Sequence, residues 1–387
     1  MRFDYERKPV NSPFYTAEHD AYRRTLREFV EKEIAPFVNE WDEAGSFPRE
    51  LYRKAGKIGL LALGFPEAYG GIPADPFFRI VVNDELAKAG SGGVMASLMI
   101  HSIGTPPIVA LGSEALKRRV VPEILAGEKI SCLAITEPSG GSDVANLLTT
   151  AKREGDHYIV NGSKMFITSG IRADYYTVAV RTGGPGRQGI SILLIEKDTP
   201  GFTQTPLKKM GWWCSDTAAL YFDDCPVPTA NLLGEENQGF RGIMENFNSE
   251  RFGIAATCTA FARVCVDEAI AYARERITFD RPLIGHQVIR HKIVDMEMRV
   301  NACRAYLENI GWRLSQGEAP VADCCMLKNL ASQCLEYCAN EAVQIFGGAG
   351  YLRGTKVERI YRETKVLSIG GGATEIMKDL ASRQMGL

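Results

Sequence analysis

The dominant periodic signal is helical, and it occupies both ends of the chain. Tyr22, Leu26, Phe29, Val30 and Ile34 recur at three- and four-residue steps behind Thr16, a residue suited to cap a helix start. The same spacing predicts helices over 48–63, 77–88 and 93–111, and another capped by Ser113 and running to Leu125, with a Gly/Pro-bounded loop at 65–71. From Ile130 to about Asp224 the segments become short, β-branched and punctuated by turns. Tyr158–Val160, Asn161-Gly162 and Lys164–Thr168 read as a hairpin, and 175–180 and 190–195 as buried strands. Beyond Pro226 and Pro228 the helical period returns and persists almost to Leu387. The order is helix, sheet, helix.

One helix carries an anomaly. Ile243, Phe247, Ile254, Phe261 and Cys265 line one face, and the place one turn before Ile254 is taken by Glu250. A carboxylate among apolar side chains is costly to ionise, so its pKa should rise towards neutrality unless a cation compensates. Arg251 is adjacent in sequence but about 100° round the helix. A carboxylate tuned in this way suits a general base. A buried structural ion pair fits the spacing equally well.

Composition narrows the class. The 387 residues leave room for two or three domains, and 45% hydrophobic with 24% charged residues is ordinary for a globular protein. A net charge of −2 argues against nucleic acid as the main partner. No apolar run approaches the roughly 18 residues of a membrane span. The N-terminal MRFDYERKPVNSPFY mixes acids with bases and has no apolar stretch, so a cytoplasmic protein without a targeting segment is expected. Ten cysteines without CxxC pairs read as reduced core residues, and five dispersed histidines predict no metal site.

Three stretches carry candidate chemistry. In AITEPSGGSDVAN (134–146), Gly140 and Gly141 let backbone N–H groups approach a flat or anionic ligand, and Thr136 and Ser142 offer hydroxyls, although such loops are commonly plain turns. In RITFDRPLIGHQ (276–287), Arg276 and Arg281 flank Phe279, an arrangement able to hold a phosphate and stack on a base; a solvated helix end is the commoner origin of such a run. In VQIFGGAG (343–350) a helix meets a glycine-rich break, which a simple C-cap would also explain.

In this order and spacing, AITEPSGGSDVAN, NGSKMFITSG, MGWWCSDTAALYFDDCPVP, YARERITFDRPL and VQIFGGAGY together resemble the acyl-CoA dehydrogenase family over essentially the whole chain. The resemblance is nearest the isovaleryl-CoA and long-chain group, with citronellyl-CoA dehydrogenases also similar. It implies an α+β fold: an N-terminal helical domain (1–128), a middle antiparallel β domain (129–235) and a C-terminal four-helix-bundle-like domain (236–387). It further implies FAD lying between the last two domains, a homotetramer built as a dimer of dimers, and electron-transfer flavoprotein as acceptor. Ile135, Thr136, Gly141, Ser142, Phe166 and Thr168 would then meet the flavin. Arg276, Phe279, Gln287, Gln344 and Gly348 would reach the FAD of an adjacent protomer, with Thr374 and Glu375 also on the cofactor. Ser142, Met95, Met99, Asn248, Arg251, Gly370 and Gly372 would face the acyl-CoA.

One departure bears on catalysis. Where many family members carry a glutamate in a YEGTS segment, this chain reads IGGGATEIM, with Gly371 at the glutamate's position and Gly370 at the tyrosine's. The long-chain and isovaleryl enzymes resemble it in placing the acid before an arginine on the helix opening the last domain, which is Glu250-Arg251 here. The resemblance therefore implies Glu250 as the α-proton base and the Gly371 N–H as a donor to the thioester oxygen, in α,β-desaturation of an acyl-CoA. A branched substrate longer than isovaleryl, such as citronellyl-CoA, is expected, with a straight long-chain acyl-CoA as runner-up. An acyl-CoA oxidase on the same fold and a catalytically silent CoA- or flavin-binding protein are the rival readings.

Overall fold

The computed structural model describes residues 12–387, except for the side chains of Glu245, Asn246 and Asn248. Helices come first: α1 (Ala17–Phe29), α2 (Val38–Ala44), α3 (Glu50–Lys57), α4 (Pro76–Ala87), α5 (Gly92–Leu98), α6 (His101–Gly104), α7 (Pro106–Leu111) and α8 (Glu114–Leu125). The strands are β1 (Ser131–Ala134), β2 (Thr150–Glu154), β3 (His157–Thr168), β4 (Tyr175–Arg181), β5 (Ile190–Glu196), β6 (Phe202–Pro206), β7 (Thr217–Pro228) and β8 (Leu232–Leu233). Then follow α9 (Gly239–Glu275), the ribbon β9 (Ile277–Thr278) with β10 (Arg281–Pro282), α10 (Gln287–Ser315), α11 (Val321–Phe346), α12 (Gly348–Tyr351), α13 (Lys356–Ile369) and α14 (Thr374–Gln384).

Local signals explain most boundaries. Asp75 caps α4 by accepting from the Phe77 and Phe78 N–H groups, and the Ser113 hydroxyl accepts from Leu116 N at 3.3 Å to start α8. Four predictions change, the first being the helix expected over 48–63, which is α3 and ends at Lys57. The helix expected over 93–111 is three pieces, α5, α6 and α7, broken before Pro106-Pro107 because proline removes a donor and disfavours helix in the residue preceding it. The expected hairpin at Asn161-Gly162 is absent: β3 runs straight through, with register shifts against β7 at Val160/Gly162 and Lys164/Ile167. Asn161 instead exchanges hydrogen bonds with Asp224, donating from Nδ2 to Oδ1 (3.0 Å) and accepting from its backbone N–H (2.9 Å). Here Asn-Gly marks a bulge in a paired strand, and the true reversal is the β2–β3 turn at Gly155, φ 61°. Strand β7 also extends past the expected end to Pro228, since its Pro226–Pro228 portion pairs only with β3 and needs no donor on its other edge.

The chain forms two compact units. One gathers residues up to Asn39, Asp75–Gly92 and Arg251–Leu387; the other gathers Glu40–Ala74 and Gly93–Glu250. The second unit holds an eight-stranded sheet of order β6-β7-β3-β2-β4-β5-β8, with β1 also on β4. The sheet is mixed: most pairings are antiparallel, while β1 and β2 run parallel to β4. Ile190, Ile192 and Leu194 of β5 pack with Val120, Val121 and Ile124 of α8 and with Ile243 of α9 in one apolar cluster. Gly104 of α6 lies so close to β1 that an added Cβ would come within 2.9 Å of the Cys132 backbone. The first unit is helical. There α11 packs against α10, α13 and α14, and α1 against α4. All ten cysteines are free and buried, seven of them in α9, α10 and α11. Among the described residues no single helix is long and apolar enough to cross a membrane.

Candidate active site

The predicted site residues divide between the two units. In the second unit, β1 delivers Ile135 and Thr136 to a tight turn closed by reciprocal Glu137–Gly140 backbone hydrogen bonds, 3.1 Å each way. Thr136 O accepts from Met165 N at 2.8 Å, which sets the loop beside the end of β3. Gly140, Gly141 and Ser142 are exposed, and a Cβ on Gly141 would approach Thr136 Cγ2 to 3.1 Å. The backbone at Gly141 therefore passes close to the Thr136 side chain.

Phe166 sits on the bulge of β3 with φ 62° and is 67% exposed, although it stands in a strand beside a core. A non-glycine residue held at positive φ with an aromatic face in solvent is a strained arrangement of the kind found at ligand sites. Thr168 follows, half-buried. The next residue, Ser169 (φ 59°), donates from its N–H to Asp216 O at 2.8 Å, and the Asp216 carboxylate holds Ile171 N (2.7 Å) and the Arg172 guanidinium (2.5 Å). Thr136, Gly141 and Ser142 thus lie on a loop tied to the end of β3 that carries Phe166 and Thr168, while Ile135 is buried in the core cluster.

A buried ion pair, Lys164 with Glu137, ties this loop to β3. Lys164 is 0% exposed; its Nζ donates to Glu137 Oε1 at 2.8 Å and to Ile135 O at 3.1 Å. Glu137 in turn accepts from Leu148 N (2.5 Å) and Thr149 N (2.8 Å), tying both ends of the loop to β3. Burial pushes the Lys164 ammonium down to about 8 against the opposing pull of Glu137. Burial works to raise Glu137, but Lys164 and the donated hydrogen bonds outweigh it and leave its carboxyl below the usual range. The signal was present in the strand, since Tyr158, Val160 and Lys164 share the inward parity of β3.

Helix α9 supplies the candidate acid. Ile243 is buried and Phe247 partly buried against the sheet's apolar cluster, which fixes the face of α9. One turn on, Glu250 is half-buried on that stripe, which continues through half-buried Ile254 to buried Phe261 and Cys265. Arg251 is the more buried of the two, at 5% exposed, and its charge reaches the thiols of Cys324 and Cys325. Asn248 lies outside the described side chains. Met99 is half-buried, whereas Met95 is 7% exposed and belongs to the core of its unit.

In the first unit the expected phosphate-side residues face solvent. Arg276, Gln287, Gln344 and Gly348 are exposed, and Phe279 is 90% exposed at the tip of the β9–β10 ribbon. Phe279 (φ 49°) and Asp280 (φ 60°) both adopt left-handed conformations there, which glycine or asparagine would occupy at less cost. The run 276–287 is thus a tight ribbon, not a helix end. Between α13 and α14, Gly371 (φ 66°) and Gly372 (φ 108°) are left-handed and Gly370 is extended (φ −66°, ψ 153°). Thr374 is half-buried and Glu375 exposed at the start of α14.

Residues 16–128, 132–225 and 237–386 match, in turn, the models of the acyl-CoA dehydrogenase N-terminal, middle and C-terminal domains. The chain belongs to the acyl-CoA dehydrogenase family. It is similar to an acyl-CoA dehydrogenase of Bacillus subtilis, 39% identical over 373 residues, covering 96% of this chain and 98% of that one. A probable acyl-CoA dehydrogenase structure from Mycobacterium abscessus is 49% identical, with a TM-score of 0.95 over 96% of this chain and 100% of that chain. A putative one from Mycobacterium smegmatis is 47% identical with the same TM-score, over 97% and 99%. This acyl-CoA dehydrogenase is accordingly a FAD-dependent oxidoreductase acting on acyl-CoA thioesters. The Gly140–Ser142 turn and the solvent-facing Phe166 fit a flat cofactor that needs backbone approach and an aromatic cover.

Proposed function

We propose that Glu250 is the base of the α,β-desaturation and that the substrate is a branched acyl-CoA longer than isovaleryl. The observation that supports the first part is the half-buried carboxylate of Glu250 on an apolar helical stripe. No carboxylate stands at 370–372, and the family resemblance supports Glu250 in the role; Glu363 of α13 is buried and accepts from Gly92 N at 2.7 Å. Glu250 takes the α-proton; the Cα–H electron pair becomes the C=C bond as a hydride departs from Cβ. The Gly371 N–H donates to the thioester oxygen, where negative charge develops. FAD, when bound, supplies the hydride acceptor, and Ile135, Thr136, Gly141, Ser142, Phe166 and Thr168 would hold it. Thr374 and Glu375 would complete its binding, with Arg276, Phe279, Gln287, Gln344 and Gly348 reaching the FAD of a neighbouring subunit in a homotetramer. Electron-transfer flavoprotein would be the acceptor of the reducing equivalents.

The substrate reading rests on space. Gly370, Gly371 and Gly372 leave the reacting end free of side chains, and Met99 offers an adaptable apolar surface for a tail. Asn248 and Arg251, beside Glu250 in sequence, would face the acyl-CoA, and a substrate with a methyl on the β-carbon, such as citronellyl-CoA, is the reading proposed. The test is anaerobic flavin bleaching with linear and branched acyl-CoAs. Wild type should bleach fastest with a branched substrate, and Glu250→Gln should bind ligand yet bleach slower by about 10²-fold or more, as expected for loss of a proton acceptor. Near-normal bleaching by Glu250→Gln removes the base assignment. A preference for linear chains at every length removes the substrate assignment.

A further inference from the structure

Three consecutive glycines form the least constrained backbone a chain can have, yet the Gly371 N–H can stabilise charge only if it is already aimed. The means of aiming it lies on α11. Lys328 is 0% exposed, and its Nζ donates to Gly372 O at 2.6 Å. The next residue, Asn329, is 7% exposed and donates from Nδ2 to Thr374 O at 3.0 Å. The connection is held at its other end by Gly370 N, which donates to Val366 O at 2.7 Å to finish α13. The Met377 side chain packs closely over Gly372, its Cε 2.3 Å from where a Cβ would stand.

Burying an ammonium is costly, and a methionine or leucine would fill the same length of α11 without that cost. The cation is nonetheless deep enough for its charge to reach the thiols of Cys258 and Cys325, offsetting part of the burial that pushes both upward. What lysine alone adds is a short, charge-assisted hydrogen bond that sets the direction of one carbonyl. With the Gly372 carbonyl and the first turn of α14 gripped from adjacent positions of one helix, rotation of the neighbouring peptides is curtailed. We infer that Lys328, assisted by Asn329, is a positioning residue that preorganises the Gly370–Gly372 turn so that the Gly371 N–H points at the reacting thioester oxygen. The catalytic half of this statement rests on the proposed role of Gly371; the mechanical half does not.

The experiment has two arms, both on the FAD-loaded protein. Amide hydrogen exchange over residues 367–377 reads the grip itself. Lys328→Met should speed exchange there by about tenfold while the rest of α11 keeps its protection. Should Lys328→Met fail to fold, Asn329→Ala carries the same expectation. Unchanged exchange in a folded variant overturns the inference whether or not the protein turns over any acyl-CoA. The second arm titrates a 3-ketoacyl-CoA, whose bound enolate is followed by its ultraviolet absorbance, beside the affinity for a saturated acyl-CoA. Enolisation should fall about tenfold in Lys328→Met with saturated-ligand affinity within about twofold, because a mis-aimed donor loses charge stabilisation and not ground-state binding. Looser exchange with undiminished enolisation overturns the catalytic half. If wild type itself gives no enolate while Lys328→Met still loosens the turn, the grip stands and the assignment of Gly371 falls.

Discussion

Lys164 and Glu137 tie the loop that follows β1 to β3 through two buried atoms 2.8 Å apart. Removing one partner strands the other charge in the core, so Lys164→Met should destabilise by about 3–5 kcal/mol in urea unfolding. The double variant Glu137→Gln/Lys164→Met should recover part of that loss; additive losses would show that the two side chains are not coupled. The pair also gives a pH signature. Lys164 has its folded pKa at about 8, below the unfolded value of about 10.4, so between these the unfolded chain binds more protons. Stability relative to Lys164→Met should therefore rise from pH 8 to about 10, by on the order of 1–3 kcal/mol. A flat difference across that window would contradict the cause assigned to the shift. Gly371 carries a different residue-scale expectation. Its φ of 66° means that Gly371→Glu strains the backbone by about 1–2 kcal/mol, so the melting temperature of that variant should fall; an unchanged melting temperature would contradict the strain.

At the scale of elements, contacts between backbones decide what is tolerated. An added methyl at Gly104 would press on the Cys132 backbone of β1, where nothing can yield, whereas one at Gly253 in α9 would meet only the mobile end of Arg79, at 2.3 Å. Gly104→Ala should cost about 1–3 kcal/mol and Gly253→Ala about nothing, helped by the better helix propensity of alanine. Equal melting temperatures for the two variants would refute this reading of α6 against β1. The elements themselves were largely legible: the capped helices α4 and α8 and the strands β4 and β5 fall where periodicity puts them. The bulge at Asn161-Gly162 was not, because the same dipeptide serves a turn when a strand ends and a bulge when pairing on both sides continues.

For the whole molecule, the exposed aromatics are the guide. Phe166, Phe279 and Tyr351 present 67, 90 and 87% of their surface in the single chain, far more than packing alone would leave. If Arg276 and Phe279 hold FAD across a subunit boundary, cofactor retention and assembly are linked by mass action. Arg276→Ala should then lose flavin absorbance on dilution and shift towards smaller species on sizing, both reversed by added FAD. A flavin-saturated monomer in wild type would end that proposal.

The order of elements, the buried cysteines and the glycine-for-glutamate exchange at 371 could all be read along the chain, because periodicity and family spacing are properties of sequence neighbours. Glu250 was legible as an acid on an apolar face for the same reason. The partners that give these residues their chemistry were not. Glu137 meets Lys164 across 27 residues and Lys328 meets Gly372 across 44, and only folding brings such distant positions into hydrogen-bond range. Likewise the left-handed φ of Phe166 comes from pairing β3 against β7 out of register, a constraint that no local propensity contains.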